Sequence, residues 1–473
     1  MLRRTLMLGR TRRVHFVGIG GIGMSGIAEL LANLGYEISG SDVKGSEVTA
    51  RLQQRFNVRI AEGHAAANIG EADVVVVSSA VRRTNPEIVE AERRGIPVIP
   101  RAEMLAELMR LHFAIAVAGS HGKTTTTSMI ALALERAGLD PTAVIGGRLS
   151  VFGSNARLGD SEYMVAEADE SDRSFLMLWP SIAVVTNIDR EHMENYRGFD
   201  ELQQAFADFA NKVPFYGSVV ACADDSNLMA VLPRLKRRVV TYGLDNPAAS
   251  VFGSGVELGA FGGRCSVHRQ DASGAEPLGT LELSVPGRHN LQNALAAVAV
   301  GECLGLSFAQ VAGALRDFAG AERRFERHGE VGGIVVVDDY GHHPTEIAAV
   351  LAAARATLNR RLIVAFQPHR YSRTAQLLDE FGPALTDADE IVLTDVYAAG
   401  EEPIAGITLD ALAEAVRRGS GRPVHPAATL DDVVATILRV ARAGDAVITL
   451  GAGSIGVVPR MLVDALKREG TRH

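Results

Sequence analysis

Between an apolar run at Ala114 to Ala118 and a helical pattern reaching Arg136 stands Gly119-Ser120-His121-Gly122-Lys123-Thr124-Thr125. Glycines leave backbone amides bare, lysine adds an ammonium and threonine a hydroxyl, the donor set that a nucleoside triphosphate and its Mg2+ require. The stretch departs from the usual G-x-x-x-x-G-K-[ST] pattern, because Val117 stands where the first glycine would be and Gly119 takes over. Its turn must therefore differ. Carboxylates follow at the ends of the next two apolar runs, in Glu167-Ala-Asp169-Glu170-Ser-Asp172 and in Asn187-Ile-Asp189-Arg-Glu191-His192. In an open α/β sheet those ends form the crevice where ligands bind, and an acid there holds Mg2+ beside a loop hydroxyl. Glu167 beside Thr124 fits that role, with a solvated acidic loop as the bland alternative. His192 is a less usual magnesium ligand, since that ion prefers oxygen.

A second glycine loop lies near the start. Gly18-Ile19-Gly20-Gly21-Ile22-Gly23 follows the run Val14 to Val17 and opens a helical pattern, so bare amides and a helix dipole face an approaching pyrophosphate. Asp42 ends the next strand at the distance where a dinucleotide-binding domain places its ribose acceptor. Taken alone these residues imply NAD and an oxidoreductase, with a non-binding turn as the other reading. NAD leaves Lys123, Thr124 and Glu167 without a role. Arg370 and Arg373 offer forked donors for a carboxylate or phosphate, or else a solvated pair. His342-His343 before Pro344 lacks the i,i+4 spacing of a helical zinc site and reads as capping and loop packing, with Glu346 in the first turn of a helix. Gly451-Ala-Gly-Ser-Ile-Gly456 has the look of a third phosphate loop but reads as a packing turn.

Such loops need parallel strands to hold them. Continuous β-branched runs alternate with helical stretches along most of the 473 residues: Val74 to Ser78, Val98 to Pro100, Tyr163 to Ala166, Ile182 to Thr186, Val219 to Ala223 and Val239 to Tyr242. Residues 250 to 286 alternate differently and predict antiparallel strands at a sheet edge, followed by a helix from His289 to Leu304. After Arg323-Arg324-Phe325 a further unit is expected, with strands at Ile334 to Val337, Leu362 to Phe366, Ile391 to Thr394 and Ala446 to Leu450. Hydrophobic residues at 47% and charged residues at 22% suit a folded globular chain. A net charge of −8 attracts no polyanion, so nucleic acid is not an expected partner. No window approaches about 18 uninterrupted apolar residues, and no membrane partner is expected. Cys222, Cys265 and Cys303 lie far apart without metal-site spacing, in keeping with a reducing, cytoplasmic setting.

The motifs together resemble the Mur ligase family. The matching stretches are His15-Phe-Val-Gly-Ile-Gly-Gly-Ile-Gly-Met24-Ser, Gly119 to Thr125, Glu167 to Asp172, His289-Asn290 through Asn293, Asp338-Asp-Tyr-Gly-His-His-Pro-Thr-Glu346 and Gln367-Pro-His-Arg-Tyr-Ser-Arg373. Ser120 and Glu191 are mild departures, standing where relatives commonly have Thr and Asp. The resemblance implies an α/β chain of three domains: a Rossmann-like UDP-sugar domain over 1–112, a P-loop ATPase-like domain with a mixed sheet over 113–320, and a Rossmann-like domain on the amino-acid side over 321–473. It implies ATP and Mg2+ as cofactors, with Gly119, Ser120, His121, Gly122, Lys123, Thr124, Thr125, Asn290 and Asn293 on the nucleotide, and Thr124, Glu167 and His192 on metal. Gly18, Gly20, Gly21, Ile22, Gly23 and Asp42 would hold the diphosphate of a UDP-sugar and no nicotinamide. Tyr340, His342, His369, Arg370 and Arg373 would line the reacting end, with Lys123, His342, Arg370 and Arg373 taking part in catalysis. The implied reaction joins L-alanine to the carboxylate of UDP-N-acetylmuramate through an acyl phosphate, in a monomer or homodimer. A sister activity, attaching a preformed peptide to the same nucleotide, stays open.

Overall fold

The computed structural model describes residues 8–78, 80–149, 154–191, 193–259, 262–320 and 323–470. By their internal contacts they fall into two compact units. One comprises Met1–Gly255, Cys265–Leu281 and Gln292–Phe318; the other comprises Val256–Arg264, Glu282–Leu291 and Ala319–His473.

The first unit begins with five parallel strands in the order Arg59–Glu62, Glu37–Asp42, Arg13–Val17, Val74–Val77 and Val98–Pro100. The chain runs outward from Arg13–Val17 in one direction, then crosses to Val74–Val77 on its other side. That reversal opens a crevice at the strand ends, and the loop Gly18–Gly23 leaves the sheet there.

A ten-stranded sheet follows. Its parallel centre runs Val239–Gly243, Ser218–Cys222, Ile182–Val185, Phe113–Ala118, Tyr163–Glu167 and Thr142–Leu149. Phe113–Ala118, which feeds the Gly119–Thr125 loop, is therefore flanked by the two strands whose ends carry the acidic motifs. The expected antiparallel edge is present as Val251–Gly259, Gly262–Asp271 and Gly274–Leu283, neighbours joined by two-residue links that only antiparallel strands allow. At the other edge Thr142–Leu149 pairs antiparallel with Ser154–Arg157. This pair went unpredicted because Gly146 and Gly147 interrupt its apolar pattern.

The third sheet has the order Glu326–Val331, Ile334–Asp339, Ala446–Leu450, Leu362–Phe366, Glu390–Leu393 and Val424–Pro426, parallel except for its first pair. Successive side chains of a strand enter opposite faces. Val335, Val337, Val364 and Ile448 join Ile347 and Leu351 in one core, whereas Val336, Ile363 and Val447 join Val433, Ile437 and Leu462 in another. Burial on both faces explains the unbroken apolar runs. Among the described residues no helix is long and apolar enough to cross a membrane.

Ile448 has no exposed surface in a central strand. Ile448→Ala is expected to cost about 3 kcal/mol and Ile448→Val about 1 kcal/mol. Urea unfolding followed by hydrogen exchange in the third sheet checks both; equal midpoints for the two variants would contradict the two-faced core.

Candidate active site

The Gly119–Thr125 loop is shaped by the strand end beside it. Gly119 has φ +138°, and a Cβ there would lie 2.0 Å from Thr186 Oγ1. Thr186 Oγ1 donates to the His121 carbonyl at 2.6 Å, the His121 amide donates to Asn187 Oδ1 at 2.8 Å, and the Asp189 amide donates to Ser120 Oγ at 2.8 Å. His121 Nε2 lies 2.9 Å from Asp189 Oδ2. These tethers let Gly119 replace the glycine missing at Val117. Gly122, at φ +79°, caps the helix Lys123–Arg136, and a Cβ there would come within 2.8 Å of Asn293 Oδ1. Asn293 thus lies against the loop, while Asn290 Nδ2 donates to the Pro286 carbonyl at 2.7 Å. Thr125 is buried within the first turn of the helix.

Lys123 Nζ donates to the carbonyls of Gly119 (2.6 Å) and Ser120 (3.2 Å) and to Glu170 Oε1 (2.8 Å). Burial alone would lower its pKa, but Glu170, Asp169 and Glu167 reverse the shift and hold it above the lysine range. Asp169 moves the other way: burial would raise it, and Lys123 holds it below the usual carboxylate value. Thr124 Oγ1 donates to Glu167 Oε2 at 2.9 Å, and the Gly146 amide reaches the same oxygen at 2.9 Å. A hydroxyl touching a carboxylate is an oxygen pair that suits a hard divalent cation. His192 lies outside the described residues. Nothing in the sequence singles out Glu170 as the partner of Lys123, because only geometry ranks neighbouring acids in one run.

At the other loop, the Gly18 and Ile19 amides donate to the Ser41 carbonyl at 2.9 and 3.0 Å, and the Gly20 amide donates to Asp42 Oδ2 at 2.7 Å. Asp42, expected to meet a ribose, organises the loop itself. Gly21 caps the helix Ile22–Asn33, and a Cβ on Gly23 would lie 3.2 Å from the Arg101 side chain. A cavity of about 250 Å³ nearby is lined by Ser78, Val81, Arg83, Arg101 and Asp172, among others.

In the second unit, polar side chains collect just beyond the ends of Ile334–Asp339 and Leu362–Phe366. The guanidiniums of Arg323 and Arg324 each lie 5.3 Å from the Tyr340 ring centre. His342 Nδ1 lies 3.2 Å from the Tyr340 carbonyl, the rings of His342 and His369 are 5.8 Å apart, and His369 stacks on Tyr397. Arg370, at φ +73°, donates from Nε to Glu401 at 2.6 Å. No hydrogen-bonding or ionic partner engages the Arg373 guanidinium among the described residues. Burial lowers His342 to about 3 and His369 to about 4, so both are neutral at pH 7. His343 caps the helix Pro344–Leu358 with Glu346 completing the box, as expected. The Gly451 turn packs as expected too: Arg323 donates to the Gly451 carbonyl at 2.6 Å, and the Ile455 amide donates to Gln367 at 2.9 Å. In the sequence Arg323 and Arg324 mark only a boundary stretch, because nothing in their spacing ties them to Tyr340.

Three family models match the chain: Mur ligase family, catalytic domain, over residues 13–113; Mur ligase middle domain, over 117–301; and Mur ligase, glutamate ligase domain, over 323–453. A UDP-N-acetylmuramate--L-alanine ligase from Geobacter sp. is 53% identical, spanning 98% of this chain and 99% of its own. The protein of that name from Myxococcus xanthus is 55% identical over 96% of this chain and 95% of its own. Among solved structures, a UDP-N-acetylmuramate-alanine ligase from Thermotoga maritima has a TM-score of 0.82 at 30% identity, covering 97% of this chain and 99% of its own. A murein peptide ligase from Psychrobacter arcticus has a TM-score of 0.72 at 27% identity, covering 96% and 98%.

Burial also lowers His289 to about 4. His289, His342 and His369 thus titrate below the ~6.5 of an unfolded histidine, so between those values the unfolded chain binds protons that the folded chain refuses. Asp339, raised to about 6 by burial, acts in the opposite sense as one group against three. The stability from the histidines is present above pH ~6.5 and lost as pH falls toward ~4. Calorimetry over a pH series should show the melting midpoint of the second unit falling on acidification below pH ~6.5, and a rising midpoint contradicts the assignment.

Proposed function

The chain belongs to the Mur ligase family, and from that premise we propose that it joins L-alanine to the carboxylate of UDP-N-acetylmuramate, forming UDP-N-acetylmuramoyl-L-alanine, ADP and phosphate for peptidoglycan precursor synthesis. The observation that carries this reading is the identity of 53% and 55% to UDP-N-acetylmuramate--L-alanine ligases over 98% and 96% of the chain. The domains are assigned as 1–112 for the nucleotide sugar, 113–320 for ATP and 321–473 for the amino-acid side.

The chemistry follows from charge. A carboxylate is a poor electrophile, so its oxygen first takes the γ-phosphoryl group of ATP. The acyl phosphate is then attacked by the neutral amine of alanine, the nitrogen of the tetrahedral adduct gives a proton to solvent, and the adduct collapses to the amide with loss of phosphate. Lys123 meets the phosphates by exchanging Glu170 for phosphate oxygens, and Gly119 to Thr125 supply amides along the triphosphate. Thr124, Glu167 and His192 are the residues assigned to hold Mg2+, which supplies charge neutralisation between two anions when bound. Asn290 and Asn293 are assigned to adenine, and Gly18 to Gly23 with Asp42 to the UDP-sugar. Arg370 and Arg373 provide forked donors for the substrate carboxylate or the transferring phosphoryl group. Tyr340, His342 and His369 border them. Burial keeps His342 neutral, so it acts as a hydrogen-bonding group and not as a cation.

Incubation with UDP-N-acetylmuramate, ATP, Mg2+ and a panel of single amino acids should give ADP release with L-alanine. Release supported only by a tripeptide would move the assignment to the sister activity. Lys123→Ala should lower turnover by about three orders of magnitude. Glu167→Gln should raise the Mg2+ concentration needed for half-maximal rate, and an unchanged metal titration would give the ligand role to another acid.

A further inference from the structure

Behind the sugar-nucleotide loop lies a carboxylate with no exposed surface. Glu87 sits in the first turn of the helix Pro86–Arg93, on the far side of the strand crossing from the loop's own strand. Four donors converge on it: Ser41 Oγ at 2.6 Å and His15 Nε2 at 3.2 Å on one oxygen, Asn68 Nδ2 at 2.7 Å and the Ala65 amide at 3.2 Å on the other. Ser41 is the junction. Its hydroxyl serves Glu87, while its carbonyl holds the amides of Gly18 and Ile19, and the next residue, Asp42, holds the amide of Gly20.

From these contacts we infer that Glu87 is a positioning residue for sugar-nucleotide binding, fixing Ser41 and His64 so that the amides of Gly18 to Gly20 are held in their binding shape. The inference rests on the assignment of that loop to the UDP-sugar. Ser41 has one hydroxyl proton, and Glu87 takes it. Ser41 Oγ therefore accepts from His64 Nδ1, 3.0 Å away, so that Nδ1 is a donor. His15 is oriented in the same way, giving its Nε2 proton to Glu87 while Nδ1 lies 2.9 Å from Ser39 Oγ. Burial would raise the carboxyl's pKa, but the bonds from His15, Ser41 and Asn68 outweigh it and hold the group at about 2. Glu87 is thus an acceptor only, at every pH where the protein works. A glutamine has the same shape but turns one acceptor into a donor, so two of the four converging donors lose their partner.

Isothermal titration with UDP-N-acetylmuramate, beside steady-state kinetics, tests this on the full-length protein. Glu87→Gln should weaken nucleotide-sugar binding and raise its KM about tenfold, leaving kcat and the KM values for ATP and L-alanine within about twofold. Ser41→Ala, which keeps the buried charge and three of its donors, should shift the same constant in the same direction by about threefold and serves if Glu87→Gln does not fold. Unchanged affinity in the folded variants, or a parallel loss for all three substrates, overturns the positioning role. If the wild-type chain itself binds no UDP-N-acetylmuramate, the loop assignment fails instead. Normal wild-type binding with unaffected variants defeats only the role of Glu87.

Discussion

The register of three neighbouring strands governs the Gly119–Thr125 loop. Val117 pairs with Glu167 and Ala118 with Val185, so Phe113–Ala118, Tyr163–Glu167 and Ile182–Val185 end level with one another. One strand therefore delivers the glycine loop, the second the acid that touches Thr124, and the third the side chains that hold the loop's backbone. A slip of one residue would turn every side chain of a strand to the opposite face. The alternation of Val, Ile and Ala between two buried faces prevents that slip, which makes the core the device that aims the chemistry.

The five-stranded sheet repeats this logic with a different partner. Its glycine loop also leaves a parallel strand beside the point where strand order reverses, but the neighbour gripping it is the end of Glu37–Asp42, through the Ser41 carbonyl and the Asp42 carboxylate. In the second unit, arginines and neutral histidines gather beyond the strand ends around Tyr340. On the proposed assignment cations there would complement the anionic groups of an acid and a phosphate, while low-lying histidine pKa values avoid adding further charge to a crowded buried cluster.

Much of this could be read from residue order. The loops at Gly18 and Gly119, the acids at Glu167 and the strands that carry them follow from apolar runs ending in glycine or carboxylate, since such runs suit only buried parallel strands. What stayed hidden depends on partners distant in sequence. That Glu170, not its neighbours, contacts Lys123 is a matter of side-chain reach. That Asp42 holds an amide of its own loop depends on the pairing of two strands. Glu87, in a short polar helix, looks like an ordinary first-turn acid until the sheet brings Ser41, His15 and Asn68 around it. The strand Thr142–Leu149 carries no such signal because glycines erase the periodicity on which strand recognition relies.

Lys123 is already saturated with oxygen, two loop carbonyls and Glu170. If Lys123 meets the phosphates as proposed, nucleotide capture is a ligand exchange and not the filling of a vacant seat. An incoming anion has to outcompete an internal one that is tethered a few ångströms away and so present at high effective concentration. On the proposed assignment small singly charged ions would compete poorly, whereas a polyphosphate anchored by further contacts would displace the carboxylate, so the exchange would select by charge and reach.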